Sequence, residues 1–277
     1  MRDNVFKCIW MVLCLPGLLS AQTTGTTLSY EHYGQALKAF VDDMGLVNYK
    51  QLKKKTDDLN HFIHSLSEVK AADYDQWTQQ DKIAFWINAY NGLTLKAIID
   101  HYPIKSSWFR SRLYPKNSIR QIPGVWDSLT FKVMGRAMTL EYIEHKILRA
   151  EFKEPRIHTA LVCAAMGCPP LRNEPYTGKQ LNDQLDLQMK RFLCHRAKFK
   201  IDRDKDLVYL SPIFQWFAKD FVDPEAPSKT IGQLNQQESA VILTIAPYLE
   251  NPFKDFLLSG KFNIKFIDYD WSLNEQQ

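Results

Sequence analysis

The sequence predicts a single α+β domain that is mainly helical and has a small sheet of short strands. Most apolar residues recur at helical spacing, in segments long enough for several helices. Short segments typical of strands lie between them, without the strict strand and helix alternation of a parallel sheet. We therefore expect helices to dominate the mature domain, which we assign to residues 22–277.

Residues 1–21 have the composition of a secretory signal peptide. Arg2 and Lys7 supply a positive start, residues 8–19 are apolar, and Ser20-Ala21 is a small-residue cleavage site. The apolar part is shorter than the roughly 20 residues that cross a bilayer, and no later segment is long and apolar enough. The sequence thus predicts a periplasmic or secreted protein without a membrane span.

The formal net charge of the whole chain is +4, and it falls by only one when the signal peptide is removed. So small an excess of positive charge indicates neither a nucleic-acid partner nor an anionic membrane surface as partner.

The mature chain keeps three cysteines, Cys163, Cys168 and Cys194. Three thiols in an oxidising compartment cannot all pair within one chain. At least one of them must stay free, bind a ligand or pair with another molecule.

The first half of the domain is predicted as three helices. One spans residues 29–45 with Gly45 as its stop, and a short extended piece leads to a second through residues 52–66. The third has the clearest pattern, because Thr78 and Asp81 approximate a capping box and apolar residues recur at helical spacing to residue 98. Irregular chain with short strands follows.

The second half is predicted to consist of helices with short strands scattered among them. Thr139 caps a helix over LEYIEHKILR, and residues 157–164 are short and apolar, as in a buried strand. Thr177 and Gln180 form a capping box for a helix to about Leu193. The remaining segments are a hairpin over residues 198–211, helices over 213–221 and 236–249, and a last strand over 262–268.

Two asparagines, Asn88 and Asn91, lie three residues apart on one face of the third helix. Asparagine is a poor helix former, so a pair of them inside a strong helix needs a reason. They either bond to a nearby loop or buried backbone, or orient a catalytic group or a substrate amide. Both alternatives stay open from the residues alone.

Glu144 falls within the apolar arc of the helix LEYIEHKILR, and His145 lies on its flank. A carboxylate on the core side needs a partner, because burying it unpaired is costly. We expect either a structural ion pair of Glu144 with Arg149 or Arg156, or a site in which Glu144 or His145 takes part.

The segment RIHTALVCAAMGCPPLR brings His158, Cys163 and Cys168 close together in sequence. In one extended strand, His158 and Cys163 would lie on opposite faces, so a direct dyad would require the strand to bend. The small residues 164–167 allow a chain reversal that returns Cys168 towards the strand.

Several hypotheses account for these cysteines. A Cys163–Cys168 disulfide suits an exported protein, and a nucleophilic cysteine with a histidine base uses the residue types present. A zinc site formed by His145, His158, Cys163 and Cys168 is weaker, because the spacing matches none of the usual ligand pairs, and we predict no cofactor. An inert buried thiol is the remaining alternative and is our expectation for Cys194.

Five motifs in order resemble the widespread domain of unknown function 547. They are FWINAYNGLTLKAI, LEYIEHKILR, RIHTALVCAAMGCPPLR, LSPIFQWFAKDF and IKFIDYDWSLN. The resemblance implies a single domain and no particular substrate. It directs attention to the residues at its motif positions, which are Asn88, Asn91, Glu144, His145, His158, Cys163 and Cys168. The cysteine and histidine pattern is similar in part to papain-like and transglutaminase-like enzymes, whose spacing it does not reproduce.

These features predict an exported thiol hydrolase or acyltransferase for amide or peptide-like bonds. One cysteine of the segment would attack the carbonyl, and His145 or His158 would take and return the proton. Glu144 or Asn88 would hold the imidazole, and backbone N–H groups of residues 164–167 would bind the oxyanion. The alternative is a noncatalytic exported binding domain whose bridged cysteines fix a loop and whose aromatic-rich surface holds a peptide or glycan.

Overall fold

The computed structural model of the chain describes residues 28–225 and 229–277. The predicted signal peptide, with Cys8 and Cys14, lies outside the described residues. Within the described ranges, no helix combines the length and the apolar character that crossing a membrane would need. The mainly helical α+β fold is confirmed, with ten α-helices and two small sheets in the described parts of the chain.

Five helices build the N-terminal part. They are α1 (Glu31–Phe40), α2 (Tyr49–Leu52), α3 (Asp57–Glu68), α4 (Ala71–Asp75) and α5 (Gln79–His101). Helix α5 is the centre of the larger hydrophobic core, because nearly all of its residues from 83 to 99 are buried. Its start is as predicted, since the Thr78 hydroxyl oxygen accepts a hydrogen bond from the Asp81 backbone N–H at 3.1 Å.

The first helix ends earlier than predicted. After Phe40, the carboxylate of Asp42 accepts hydrogen bonds from the backbone N–H groups of Met44 and Leu46, both at 2.9 Å. These bonds hold a turn in which Gly45 has a φ of +81°, a conformation that favours glycine. Gly45 therefore belongs to the turn that follows α1.

A two-stranded hairpin leads into a helix of unusual winding. Strands β1 (Thr130–Val133) and β2 (Arg136–Thr139) are antiparallel. Thr139 caps the helix as predicted, since its hydroxyl accepts a hydrogen bond from the Tyr142 N–H at 3.1 Å. Tyr142–Leu148 is π-helical and continues as α6 (Arg149–Glu151). Stretches of π-helix are rare and often occur at functional sites.

The predicted strand at residues 157–164 is wrong. Pro155–Thr159 forms a 3₁₀-helix that begins with its proline, and irregular chain follows. The side-chain amide of Asn91 bonds to the carbonyl of Ala160 and the N–H of Val162. Because a side chain of α5 satisfies this backbone, the segment needs no neighbouring strand.

The C-terminal part combines short helices with a three-stranded sheet. The helices are α7 (Leu181–Leu193), α8 (Ile213–Trp216), α9 (Gln236–Ile245) and α10 (Phe253–Ser259), and the strands are β3 (Phe199–Asp202), β4 (Leu207–Leu210) and β5 (Asn263–Phe266). Strands β3 and β4 form the predicted antiparallel hairpin, and β5 lies parallel to β4. A 3₁₀-helix, Ala218–Phe221, follows α8.

The start of α7 differs from the predicted capping box. Gln180 makes no side-chain bond to the helix N-terminus, and a 3₁₀-helix, Gly178–Gln180, leads into α7. The Thr177 N–H donates instead to the Gln184 side chain at 2.9 Å. A glutamine one turn into the helix thus holds its entry.

Two hydrophobic clusters of buried residues make up the interior. The larger surrounds α5, and the smaller surrounds the β3–β5 sheet and α9. Tyr269, shortly after β5, packs against both clusters. The chain after β5 therefore lies where the clusters meet.

Candidate active site

A cavity of about 200 Å³ is lined by residues of both hydrophobic clusters. Its lining residues are Tyr90, Arg120, Trp126, Glu144, His145, His158, Leu161, Cys163, Cys168, Ile213, Trp216, Phe217, Tyr269 and Trp271. Five of the seven predicted site residues meet here, namely Glu144, His145, His158, Cys163 and Cys168. Segments far apart in sequence therefore converge on the two cysteines.

Asp220 holds the ring of His158 in a fixed orientation. The His158 Nε2 lies 2.8 Å from an Asp220 carboxylate oxygen, and the ring stacks on Phe217 with centroids 4.0 Å apart. Because an ionised carboxylate can only accept, Nε2 carries the proton. Nδ1 has no hydrogen-bond partner among the described residues and is the free proton acceptor.

Arg149 links Asp220 to the second histidine of the cavity. Its guanidinium donates to both carboxylate oxygens of Asp220, at 2.5 and 2.9 Å. It also donates to Nδ1 of His145 at 2.7 Å. His145 thus has one ring nitrogen occupied by a cation, whereas Nδ1 of His158 is free.

The charges of this network are stable at neutral pH. Burial raises the pKa of the Asp220 carboxyl, but hydrogen bonds from His158 and Arg149 outweigh it and leave that pKa well below its ordinary value. The hydrogen bond to Asp220 raises the pKa of Arg149, against the opposing effect of burial. Asp220 therefore remains an ionised acceptor for the imidazole.

The two cysteines of the cavity contact each other and Tyr269. Their sulfur atoms are 2.17 Å apart, in a disulfide contact. The Tyr269 hydroxyl oxygen lies 3.2 Å from Sγ of Cys163 and 3.0 Å from Sγ of Cys168. Cys168 is 2% exposed, whereas Cys163 is half-buried. Cys163 is thus the more accessible of the two.

Cys194 was expected to be buried, and this expectation is wrong. It is a free and exposed cysteine at the C-terminal cap of α7. At this position the apolar face of the helix has already ended at Leu193, so the next side chain points away from the core.

Two buried tyrosines of the cavity lie near Glu144. Burial raises the pKa of Tyr90 and of Tyr269 well above the ordinary value, and the negative charge of Glu144 adds to the effect. Both hydroxyls therefore keep their protons at neutral pH. A protonated Tyr269 can donate a hydrogen bond to a sulfur atom or to an oxyanion beside it.

The predicted ion pair of Glu144 with an arginine is wrong. Asp220 engages Arg149, and Arg156 donates to the carboxylates of Glu154 and Asp186. Because both guanidinium groups are already paired, neither is available to Glu144. Glu144 is half-buried at the cavity, beside the tyrosines.

Asn88 and Asn91 are buried and bind backbone outside the cavity lining. The Asn88 amide bonds to the carbonyl and the N–H of Tyr176, at 2.7 and 2.9 Å. The Asn91 amide bonds to Ala160 and Val162, at 3.0 and 2.9 Å. Both asparagines therefore fix the chain on either side of the cysteines, and Asn91 acts directly before Cys163.

The turn at residues 164–167 offers few free N–H groups. The N–H groups of Met166 and Gly167 donate to the carbonyls of Ser272 and Asp270, each at 2.8 Å. None of residues 164–167 lines the cavity. The backbone of this turn is thus poorly placed to bind an oxyanion in the cavity.

Three residues that shape the site were missed in the sequence: Arg120, Asp220 and Tyr269. Asp220 and Tyr269 stand in two of the five motifs, and a carboxylate inside the apolar motif LSPIFQWFAKDF was the available signal for Asp220. No such signal distinguishes Arg120 from Arg110 or Arg112. Only the structure shows that Arg120 lines the cysteine cavity and that the other two arginines do not.

A larger cavity, about 370 Å³, also borders the His158–Asp220 pair but includes neither cysteine. In residues 28–225 and 229–277, no three His, Cys, Asp or Glu side chains are arranged to hold a metal ion. The alternative of a zinc site formed by His145, His158, Cys163 and Cys168 thus has no support in the described chain. The cysteine cavity is the candidate site.

Residues 74–193 match the model of a family described as "Protein of unknown function, DUF547". This segment of the chain is thus similar to the DUF547 family. The match confirms the resemblance and includes all seven predicted site residues, whereas Asp220 and Tyr269 lie beyond the matched DUF547 residues. No curated protein and no solved structure matches the chain.

Proposed function

We propose that this protein is a thiol hydrolase or acyltransferase that acts on amide or peptide-like bonds. The observation that carries the proposal is that Cys163 shares a cavity with His158, whose Nε2 is hydrogen-bonded to Asp220. A thiol, an imidazole and an orienting carboxylate are the groups that nucleophilic acyl transfer needs. His158 is the base of choice because Arg149 occupies Nδ1 of His145.

The reaction begins with the reduced cysteine. Nδ1 of His158 takes the proton of the Cys163 thiol, and the thiolate attacks the substrate carbonyl carbon. A C–S bond forms while the carbonyl electron pair moves to oxygen, which accepts a hydrogen bond from the Tyr269 hydroxyl. The imidazolium then gives its proton to the leaving amine as the C–N bond breaks, and a thioester remains.

The second half of the reaction releases the acyl group. Water, or an acceptor amine in acyl transfer, attacks the thioester carbon while His158 takes its proton. The C–S bond breaks, and the imidazolium returns the proton to the Cys163 thiolate. Asp220 stays ionised throughout and stabilises the imidazolium.

This chemistry requires the Cys163–Cys168 pair to be reduced, since the thiolate is the nucleophile. A dithiol reductant supplies two electrons and two protons, is itself oxidised to a disulfide, and leaves both cysteines as thiols. The sulfur of Cys168 accepts a hydrogen bond from the Cys163 N–H at 2.9 Å, so its position is fixed by backbone. The bridged pair is the resting form in an oxidising compartment.

Iodoacetamide labelling after reduction tests the nucleophile. At pH 6.5 only about one in 100 ordinary thiols is ionised, since the unperturbed pKa is about 8.5. Exposed Cys194 is the reference within the same molecule. We expect Cys163 to be alkylated at least about tenfold faster than Cys194, as measured by peptide mass spectrometry.

Two variants test whether His158 is the base that ionises the Cys163 thiol. His158→Phe keeps an aromatic ring stacked on Phe217 and removes the base. The alkylation rate of Cys163 should then fall to that of Cys194 or below. His64→Ala, on the exposed face of α3, is the control and should change nothing. If Cys163 of the reduced wild type reacts no faster than Cys194, the hydrolase hypothesis fails. A screen of peptide amides with Cys163→Ser then measures turnover.

The disulfide contact favours a second candidate, a noncatalytic exported binding domain. The aromatic rings of Trp216, Tyr269 and Trp271 lie within 4.5 to 6.2 Å of one another and would hold a peptide or glycan. This candidate predicts a permanent bridge, seen as a fragment mass about 2 Da low in protein that stays functional without a reductant. Ligand binding would then tolerate His145→Ala.

We place either function outside the cytoplasm. The reason is the sequence of residues 1–21, which has the charged start, apolar stretch and small-residue cleavage site of a secretory signal. An exported location also suits a cysteine pair that is bridged at rest.

A further inference from the structure

Arg120 lies at the boundary of two cavities. It belongs to the 3₁₀-helix Ile119–Gln121 and lines both the cysteine cavity and a neighbouring cavity of about 320 Å³. Its carbonyl accepts a hydrogen bond from the Arg110 side chain at 3.0 Å, and its N–H donates to Ser118 at 3.2 Å. The backbone that carries this cation is therefore fixed from both sides.

Three aromatic rings surround the guanidinium of Arg120. Its central carbon lies 4.1 Å from the ring centroid of Trp271 and 5.0 Å from those of Trp126 and Tyr114. Cation–π contacts of this kind hold a charged group in position without neutralising it. The cation beside the cysteines is thus oriented by rings.

No carboxylate pairs with Arg120. Its Nε is buried and has no hydrogen-bond partner among residues 28–225 and 229–277, and none of their carboxylates lies within ion-pair distance. Three other arginines that are partly or fully buried, Arg149, Arg156 and Arg172, do bond to a carboxylate. A buried guanidinium donor without a partner is costly, so a partner from outside the chain would satisfy it.

We propose that Arg120 binds the carboxylate of the substrate in the cysteine cavity. A carboxylate matches the guanidinium in a two-bond arrangement. A doubly charged anion fits less well, because Arg120 is the cavity's sole arginine or lysine and Glu144 lines the same space. The neighbouring cavity is lined by Arg110, Asp127 and Glu141 in addition to Arg120, so two carboxylates already balance its two arginines. The inference rests on the proposed function and names its substrate class as peptides with a free carboxylate.

The test is a binding measurement on the unreduced protein, in which no turnover takes place. The probes are N-acetyl-alanyl-alanine and its C-terminal amide, and the readout is tryptophan fluorescence, since Trp126 and Trp271 border Arg120. We expect the acid to bind at least about tenfold more tightly than the amide, because only the acid forms the charged hydrogen bonds. Equal binding of acid and amide, or no binding of the acid, overturns the proposal.

Two substitutions assign the preference to Arg120. Arg120→Gln should abolish the difference between acid and amide, and Arg120→Lys, which keeps the charge, should retain part of it. Arg112→Gln is the matched control, since Arg112 stacks on Trp108 at 3.9 Å but lines neither cavity, and should keep the full difference. Should Arg120→Gln fail to fold, an undiminished acid preference in Arg120→Lys, or a loss of that preference in Arg112→Gln, overturns the assignment.

Failure of this inference and failure of the hydrolase proposal give different results. If Cys163 is unreactive but the acid preference depends on Arg120, the carboxylate site stands in a binding domain. If Cys163 is reactive but acid and amide bind equally, only the Arg120 inference fails.

Discussion

Lys198 is a buried cation beside the cysteine segment. Its ammonium group donates to the carbonyl of Cys168, and Lys198 as a whole residue is only 5% exposed. Burial, and after it the positive charge of Arg191, lower the pKa of Lys198 to about 8. The charged form of Lys198 is therefore destabilising in the folded protein at neutral pH.

This pKa predicts a rise in stability with pH. The lysine pKa is about 10.4 in the unfolded chain, so between pH 8 and 10 the unfolded state binds more protons than the folded state. The free energy of unfolding should rise by about 2 kcal/mol from pH 7.5 to 9.5 through Lys198. Urea unfolding of Lys198→Met should lack this rise, while Lys200→Met, on the exposed side of β3, should keep it. Equal pH dependence in both variants would contradict the assignment.

The pH range must end near 9.5 because buried tyrosines act in the opposite direction. Burial raises the pKa of Tyr33 well above its ordinary value of about 10. Stability that depends on such a protonated hydroxyl is lost once the pH passes the unfolded pKa. Measurements above pH 10 would mix the two effects.

Among the elements, α5 organises the site. The contribution of its N-cap to stability can be tested against the start of α3. The Thr78 hydroxyl accepts from the Asp81 N–H, whereas Thr56 precedes α3 without such a bond. Thr78→Ala should lower the free energy of unfolding by about 1 kcal/mol, and Thr56→Ala by less than about 0.5 kcal/mol. Thermal or urea unfolding measures both, and equal losses would show that the Thr78 cap contributes nothing.

Elements with local signals were predictable from the sequence. The helix after Thr78 and the β3–β4 hairpin follow from spacing, a cap and a turn, all encoded within their own residues. The segment 157–164 was not, since its apolar run is equally typical of a strand and of buried irregular chain. The irregular conformation of this segment depends on the side-chain amide of Asn91 in α5, which forms hydrogen bonds with its backbone.

The candidate site likewise contains residues that the sequence predicted and residues that it did not. Reactive residue types pointed to Cys163 and His158, and the structure brings both to one cavity. Their partners were not predictable, because Asp220 lies 62 positions after His158 and Tyr269 lies 106 positions after Cys163. Pairing over such distances depends on how α8 and the chain after β5 pack, which no local pattern encodes.

At the scale of the whole molecule, contacts between distant ends of the described chain support the cavity. The Tyr49 hydroxyl donates to the Asn274 side chain at 2.7 Å across 225 positions, and the Asn274 N–H donates to the carbonyl of Ala164 at 3.2 Å. The chain that carries Tyr269 and Trp271 is thus tied both to α2 and to the cysteine turn.

A double-mutant cycle tests this link. Tyr49→Phe and Asn274→Ala should each lower the free energy of unfolding by about 1 to 3 kcal/mol, because each leaves a buried polar partner unpaired. The double variant should lose about 1 kcal/mol less than the two losses together, as expected for groups in direct contact. Strictly additive losses in urea unfolding would show that the bond adds no stability.

The late position of Tyr269 has a consequence during synthesis. When Cys163 has just been added to the growing chain, the 106 residues up to Tyr269, whose hydroxyl contacts both sulfur atoms in the fold, are still to be made. For that interval the nascent thiols are unshielded, and Cys194 emerges in time to compete for either of them. Pairing of Cys163 with Cys168 then depends on their separation of only five positions, because a short loop closes at a lower cost in entropy than the longer loop to Cys194. The folded structure can favour this pair only later.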